Sequence, residues 1–311
     1  MSEIDTFQQH VSVKQTEGTA NRYASAIRRY RDWLDERGVE FGDANQDDVE
    51  SHLLDLADED YAKGSLKIAR AGIAKFYDEM YDYNPVEDVS IGSWTAVKKG
   101  SKKSQSLRDD VHYLTPDEVQ QLVDNVHSPP KLRNELIIKM LFQTGMRRGE
   151  LCKVKLHDVN REERSIRIHA DKTHSNRTVY YQPSLSTPLN IWIDAERNGV
   201  LTADDSPHLF PTQKAEHIKP NSVSRIVREA AEEAGIQEVM YHDKGGRPKR
   251  KITGHTLRHS FAVAALKNGM DVRTLQKLMG HADIETTQMY LDLADDDVKT
   301  KARQFGPSLE S

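Results

Sequence analysis

Apolar residues in the first third of the chain recur at the three-and-four spacing that lays one stripe along a helix. Tyr23, Ile27, Tyr30 and Leu34, with Ala26 and Trp33 beside them, predict a helix that stops near Gly38. Val49, Leu53 and Leu56 predict a second over residues 47–56. Leu66, Ala69, Ile73, Phe76 (or Tyr77) and Met80 predict a third over 65–81. Asn84-Pro85 closes it, because the residue before a proline resists helical geometry. A compact bundle of about four helices is expected here.

The stripe then disappears. Residues 94–111 (WTAVKKGSKKSQSLRDDV) lack apolar periodicity and are rich in Lys, Ser and Gly, which predicts a linker. Thr115-Pro116-Asp117-Glu118 opens the next domain as a capping box with proline at the first helical position. An apolar helix over 132–142 ends before Gly145. The period then changes to two. Residues 165–169 and 178–181 alternate, with 171–177 as the turn of a β-hairpin. Helices resume over 221–234, 256–268, 272–279 and near 286–293, before a weak helix and loose tail. The expected organisation is a helical domain over 1–93, a linker over 94–111, and a second domain over 112–311 that includes the C-terminal tail.

Composition narrows the class. With 311 residues, 37% of them hydrophobic, the chain can form two modest cores. No run approaches 18 uncharged apolar residues, and MSEIDTFQQH lacks the basic and apolar regions of a signal peptide. Cys152 is the lone cysteine, so no intrachain disulfide or thiolate metal cluster is expected; it reads as a small buried residue. A reducing cytoplasm fits. Charge is uneven. Residues 1–93 hold 10 Lys and Arg against 20 Asp and Glu, a net of −10, whereas the remainder is +5. Two basic runs, 98–103 (KKGSKK) and 244–251 (KGGRPKRK), read equally as phosphate-contacting strips or as solvated loops.

Three segments carry candidate chemistry. They are Thr144-Gly145-Met146-Arg147-Arg148-Gly149-Glu150-Leu151, His255-Thr256-Leu257-Arg258-His259, and Gly280-His281 followed by Thr286-Thr287-Gln288-Met289-Tyr290. In a helix starting near His255, residues 255 and 258 share a face and present an imidazole and a guanidinium to one ligand. A guanidinium matches two phosphate oxygens at once, which an ammonium does not. Arg147, at a turn between helices, delivers a second. Two arginines, histidines and a late tyrosine suit metal-free chemistry on a phosphodiester. Each piece also has a plain reading, with His255 as a helix cap and Tyr290 as core.

Taken together and in order, the three segments resemble the tyrosine recombinase family, the phage-integrase and Xer-like site-specific recombinases, over roughly residues 15–300. The resemblance implies a mainly α fold with a small β-sheet. An N-terminal helical bundle (a SAM-like core-binding domain) would clamp DNA together with a mixed α/β catalytic domain. It also implies roles. Tyr290 attacks the scissile phosphorus to give a 3′-phosphotyrosyl bond and a free 5′-hydroxyl. Arg147 and Arg258 clamp the non-bridging oxygens, His255 assists proton transfer, and His281 hydrogen-bonds the phosphate. Lys172 matches the family's hairpin lysine, the general acid for the leaving 5′-oxygen, although Asp171 stands where a glycine is usual. His259 reads as a hydrogen-bonded support, and Glu150 as a candidate to orient an arginine.

No cofactor or metal is implied. The implied partner is double-stranded DNA, bound by a dimer at one site and a tetramer in the synapse, with a paralogous recombinase as an alternative subunit and no membrane. A cytoplasmic, nucleoid-associated protein follows. The bundle begins within about 20 residues of Met1, which favours an Xer-like layout over one with an added arm-binding domain. Rival readings are a type IB topoisomerase-like enzyme and an inactive DNA-binding regulator of the same fold.

Overall fold

The computed structural model describes residues 2–59, 61, 63–87, 89–90, 111–169, 176–242, 246, 248–280, 287, 290, 291 and 293. The first basic run, nearly all of the linker, Lys172, Asp171, His281 and the C-terminal tail lie outside the described residues. The chain divides into two compact units, Met1–Gln105 and Ser106–Ser311.

The first unit is a four-helix bundle: α1 (Glu3–Lys14), α2 (Glu17–Asp35), α3 (Gln46–Asp58) and α4 (Lys63–Met80). The stripes predicted for α2, α3 and α4 face the core, with Tyr23, Trp33 and Met80 only partly buried at its margin, and both Phe76 and Tyr77 turn inward. α1 was not anticipated. Its Ile4, Phe7 and Val11 form a short inward stripe, capped by Ser2, whose hydroxyl accepts from the Asp5 amide. Burial of such side chains stabilises by about 1.5–3 kcal/mol each. Phe41 and Phe76 meet at 4.7 Å between centroids, and Phe7 stands edge-on to Phe76 at 5.5 Å. His52 is an exception to the apolar filling. It is 1% exposed, its ring lies 5.0 Å from Tyr30, and neither ring nitrogen has a hydrogen-bond partner among the described residues. Burial, with a contribution from the Arg29 charge, pulls its pKa down to about 4.

The second unit is built around α6 (Lys131–Thr144), which buries Leu136, Ile137, Ile138, Met140 and Leu141 and packs against α5 (Pro116–Asp124) and α10 (Gly254–Lys267). The predicted capping box opens α5, with Thr115 and Glu118 bonding reciprocally. After α7 (Arg148–Lys153) comes a three-stranded antiparallel sheet of β1 (Val159–Asn160), β2 (Ser165–Ile168) and β3 (Arg177–Tyr180). The predicted hairpin is β2–β3, in register Ile166 to Val179, with both side chains in the core. α8 (Ser186–Asp194) and α9 (Pro220–Glu233) follow, then α10 and α11 (Val272–Met279).

Four elements of this unit escaped the pattern: β1, α8, and β4 (Val239–His242) and β5 (Pro248–Arg250), which pair as a second hairpin. The second basic run, described at 246 and 248–251, includes β5, and two of its cations are already paired. Arg250 meets Glu232 and Lys251 meets Glu238, each at 3.0 Å. Cys152 is 2% exposed, and burial pushes its thiol up to about 12, which leaves it unreactive. Among the described residues no helix is long and apolar enough to cross a membrane.

Candidate active site

The site grows from the end of one helix. α11 stops at Gly280, whose φ of 64° is the left-handed conformation that glycine adopts without strain. The last carbonyls of a helix lack intrahelical partners and carry the negative end of its dipole. Here three arginines take three consecutive ones. Arg177 Nε donates to Leu278 O at 2.6 Å, Arg258 Nη2 to Met279 O at 2.7 Å, and Arg147 Nη2 to Gly280 O at 3.2 Å. They come from β3, from α10 and from the turn before α7, so three separate parts of the chain converge.

Local chemistry fixes each one. α6 ends at Gly145 (φ 62°), which reverses the chain and leaves Arg147 as the residue before α7. Glu150, in the first turn of α7, accepts the Arg147 backbone N–H at 2.6 Å and its Nη1 at 3.1 Å. The same carboxylate takes two bonds from Arg177, at 2.9 and 2.7 Å. Burial by itself raises the Glu150 pKa. The bonds from Arg177 and from the Arg147 amide, together with both guanidinium charges, outweigh it and hold the group below its ordinary value. Arg258 lies on the buried face of α10, 2% exposed, and also donates from Nη1 to Gly145 O. Burial and the neighbouring Arg147 charge bring its pKa to about 10, so it remains a cation at neutral pH. A guanidinium has five N–H donors, and the bonds described here use two of those on Arg147 and on Arg258.

Thr253 caps α10, and His255, exposed as a residue, stands in its first turn. Crowding by protein atoms, and then the charges of Arg258, Arg147 and Arg148, lower its pKa, so the neutral imidazole is favoured. The His255 and His259 rings meet edge to face at 4.2 Å. Tyr290 is 2% exposed and lies in a small apolar cluster with Ala262, Val263, Leu266, Leu275 and Met279. Its hydroxyl is hydrogen-bonded to His259 Nδ1 at 2.7 Å. Burial raises the phenol pKa, and the Arg258 charge opposes that rise.

Of the residues singled out in the sequence, Arg147 and Arg258 meet at the end of α11, and His255 and Tyr290 both meet His259. Lys172 and His281 lie outside the described residues. His169, three residues before Lys172, is anchored to buried Asp158 by a 2.6 Å bond. His157, Asp158 and His169 also place three potential ligand atoms within 4.8 Å. Because Asp158 already bonds both His169 and the Lys155 amide, we read the group as an anchor for the end of β2. Arg177 belongs to none of the three sequence motifs, and its partners Glu150 and Leu278 lie 27 and 101 residues away.

A family model described as the phage integrase family matches residues 112–297, and one for the phage integrase N-terminal SAM-like domain matches residues 3–84. The chain belongs to the phage integrase family. Among its relatives, tyrosine recombinase XerD of Bifidobacterium longum is 30% identical over 294 residues, covering 90% of this chain and 89% of XerD. Tyrosine recombinase XerA of Pyrococcus furiosus is 35% identical over 180 residues, which span 57% of this chain and 56% of XerA. The crystal structure of XerA recombinase aligns over 99% of both chains, with a TM-score of 0.53 and 25% identity. The fold also matches XerH site-specific recombinase bound to palindromic difH substrate in a post-cleavage complex. That TM-score is 0.67 at 19% identity, over 91% of this chain and 78% of XerH. As a tyrosine-type site-specific recombinase, the protein has the expected fold, mainly α with small sheets and a SAM-like N-terminal bundle.

Proposed function

We propose that this recombinase cuts and rejoins duplex DNA through a 3′-phosphotyrosyl link at Tyr290 and exchanges strands through a Holliday junction. The observation that carries the reading is the convergence of Arg147 and Arg258 on one helix end, with Tyr290 close enough to feel the Arg258 charge. Tyr290 Oη attacks phosphorus, and the bond to the 5′-oxygen breaks. Arg147 and Arg258 hold the non-bridging oxygens and stabilise the charge that builds on them. His255 assists proton transfer, His281 hydrogen-bonds the phosphate, and Lys172 protonates the leaving 5′-oxygen. The phosphotyrosyl bond conserves the energy of the broken phosphodiester, so a 5′-hydroxyl from another strand can reseal it. The working assembly is a dimer on one DNA site and a tetramer in the synapse.

The test is a suicide duplex, nicked beside the cleavage position, that carries the site recovered by selecting bound DNA from a random pool. A covalent adduct on a denaturing gel with the wild type, and none with Tyr290→Phe, is the expected result. An adduct that persists in Tyr290→Phe overturns the assignment of the nucleophile. A two-site exchange assay separates recombination from relaxation: adducts without exchanged products would favour a topoisomerase-like activity.

A further inference from the structure

The proton on Tyr290 has a destination in the structure. Tyr290 Oη and His259 Nδ1 stand 2.7 Å apart, a normal hydrogen-bond length, with ring centroids 5.5 Å apart. The phenol is almost wholly enclosed, so solvent is poorly placed to receive its proton as attack begins. His259 follows Arg258 directly on α10, which ties the tyrosine's partner to the same rigid helix as a phosphate-clamping arginine. It also lies one helical turn from His255, and the two rings touch. The imidazole on the hydroxyl is therefore His259, to which the sequence assigns only a supporting hydrogen bond.

We propose that His259 is a catalytic residue, whose Nδ1 holds the Tyr290 hydroxyl and takes its proton as Oη attacks phosphorus. This rests on Tyr290 being the nucleophile. In the forward step the Oη–P bond forms and the P–O5′ bond breaks. The phenolic proton passes to Nδ1, and the leaving 5′-oxygen receives a proton from the general acid, assigned above to Lys172. On rejoining, the proton returns from His259 to the tyrosine. Before attack the neutral ring must carry its hydrogen on Nε2, leaving Nδ1 as an acceptor. An imidazole suits this task because its ordinary pKa lies close to neutral pH.

The test compares single-turnover adduct formation on the same suicide duplex for wild type, His259→Ala, His259→Asn and Tyr290→Phe, with duplex affinity and melting temperature measured alongside. His259→Ala is expected to slow adduct formation about a hundredfold at unchanged affinity, and added imidazole, which fits the vacated space, restores part of the rate. His259→Asn keeps a polar group near the hydroxyl but accepts no proton, so it stays slow. It also replaces the alanine variant in the comparison should that variant melt early. Wild-type or faster cleavage by His259→Ala, with Tyr290→Phe inactive, overturns this role alone. Equal losses in both His259 variants with no response to imidazole assign the residue to packing and overturn it too. An adduct from Tyr290→Phe removes the nucleophile assignment and this proposal together.

Discussion

Replacing Glu150 with alanine strands two guanidiniums that the protein has partly withdrawn from water. The Glu150 side chain is 14% exposed and that of Arg177 7%. The carboxylate accepts two bonds from Arg177, one from the Arg147 amide and one from Arg147 Nη1. Removing one partner of a buried ion pair costs about 3–5 kcal/mol, because the other charge is left uncompensated. Arg147 is 35% exposed, so solvent screens its share and Arg177 dominates the loss. We expect Glu150→Ala to lose about 3–4 kcal/mol. For a unit of this size that is a fall in Tm on the order of 10 °C. Glu150→Gln, which keeps the shape and one acceptor, loses about 1–2 kcal/mol. The sign with pH follows from the lowered Glu150 pKa. Its contribution is complete above the ordinary glutamate value, about 4.3, and is lost as pH falls through the lower folded value. The Tm gap between wild type and Glu150→Ala is therefore constant from pH 7 to 5 and narrows below about pH 4. Thermal unfolding followed by circular dichroism reads this directly. Adding Arg177→Met should shrink the penalty, since no buried cation is then left unpaired. A loss under about 1 kcal/mol for Glu150→Ala, or an undiminished loss in the Arg177→Met background, refutes the claim that this carboxylate sustains the arginine cluster.

Two other perturbations test other parts of the molecule. Gly145→Ala puts a Cβ 2.2 Å from Phe261 Cδ1 at a left-handed position. The backbone term alone costs about 1–2 kcal/mol. Because Gly145 O accepts from Arg258, adduct formation should fall along with Tm, and Phe261→Ala should restore part of both. No recovery in the double variant would show that the ring contact is not the cause. In the first unit, the folded pKa of His52 is about 4 against an ordinary 6.5. Its stabilising share is therefore full above pH 6.5 and is lost progressively as pH falls to 4, by about 3 kcal/mol. The opening free energy read from amide-exchange protection over α2 to α4 should fall with acid in wild type by that much more than in His52→Phe. Parallel pH profiles in the two proteins would refute it.

Much of the fold was legible because long helices advertise themselves by period. α2, α3 and α4 each present several apolar residues on one face, and the capping box at Thr115 marks where α5 begins. α1 carries only three such residues in twelve, and β1 is two residues long, so neither gives a period to read. The site divides in the same way. Arg147, His255, Arg258 and Tyr290 stand out because chemically distinctive residues sit in short motifs. Arg177 and the bond from Tyr290 to His259 depend on contacts made across 101 and 31 residues, and no local pattern records them. Reading His259 as a hydrogen-bonded support named the interaction but not the partner.

The charge arrangement suggests why three arginines are gathered where two would clamp a phosphate. Among the described residues, Arg147 and Arg177 bond the one carboxylate of Glu150 and Arg258 lies near it, a formal balance of +2. The end of α11 supplies a further partial negative charge of about 0.5 through the carbonyls they hold. Among the described residues the cluster is thus only partly neutralised, and Arg258 bonds the carbonyls of Gly145 and Met279 where Arg147 and Arg177 bond a carboxylate. A phosphodiester adds about one negative charge in the ground state and gains more in the transition state. On the roles proposed above, that increment falls to the donors of Arg147 and Arg258 beyond the two on each that these bonds use. Arg177, spent on Glu150 and Leu278, has a different part. It keeps Glu150 ionised and fixed, and Glu150 in turn fixes Arg147. A single neutralising change at Arg177 would therefore misplace Arg147, a guanidinium it does not replace, by releasing the carboxylate that positions it.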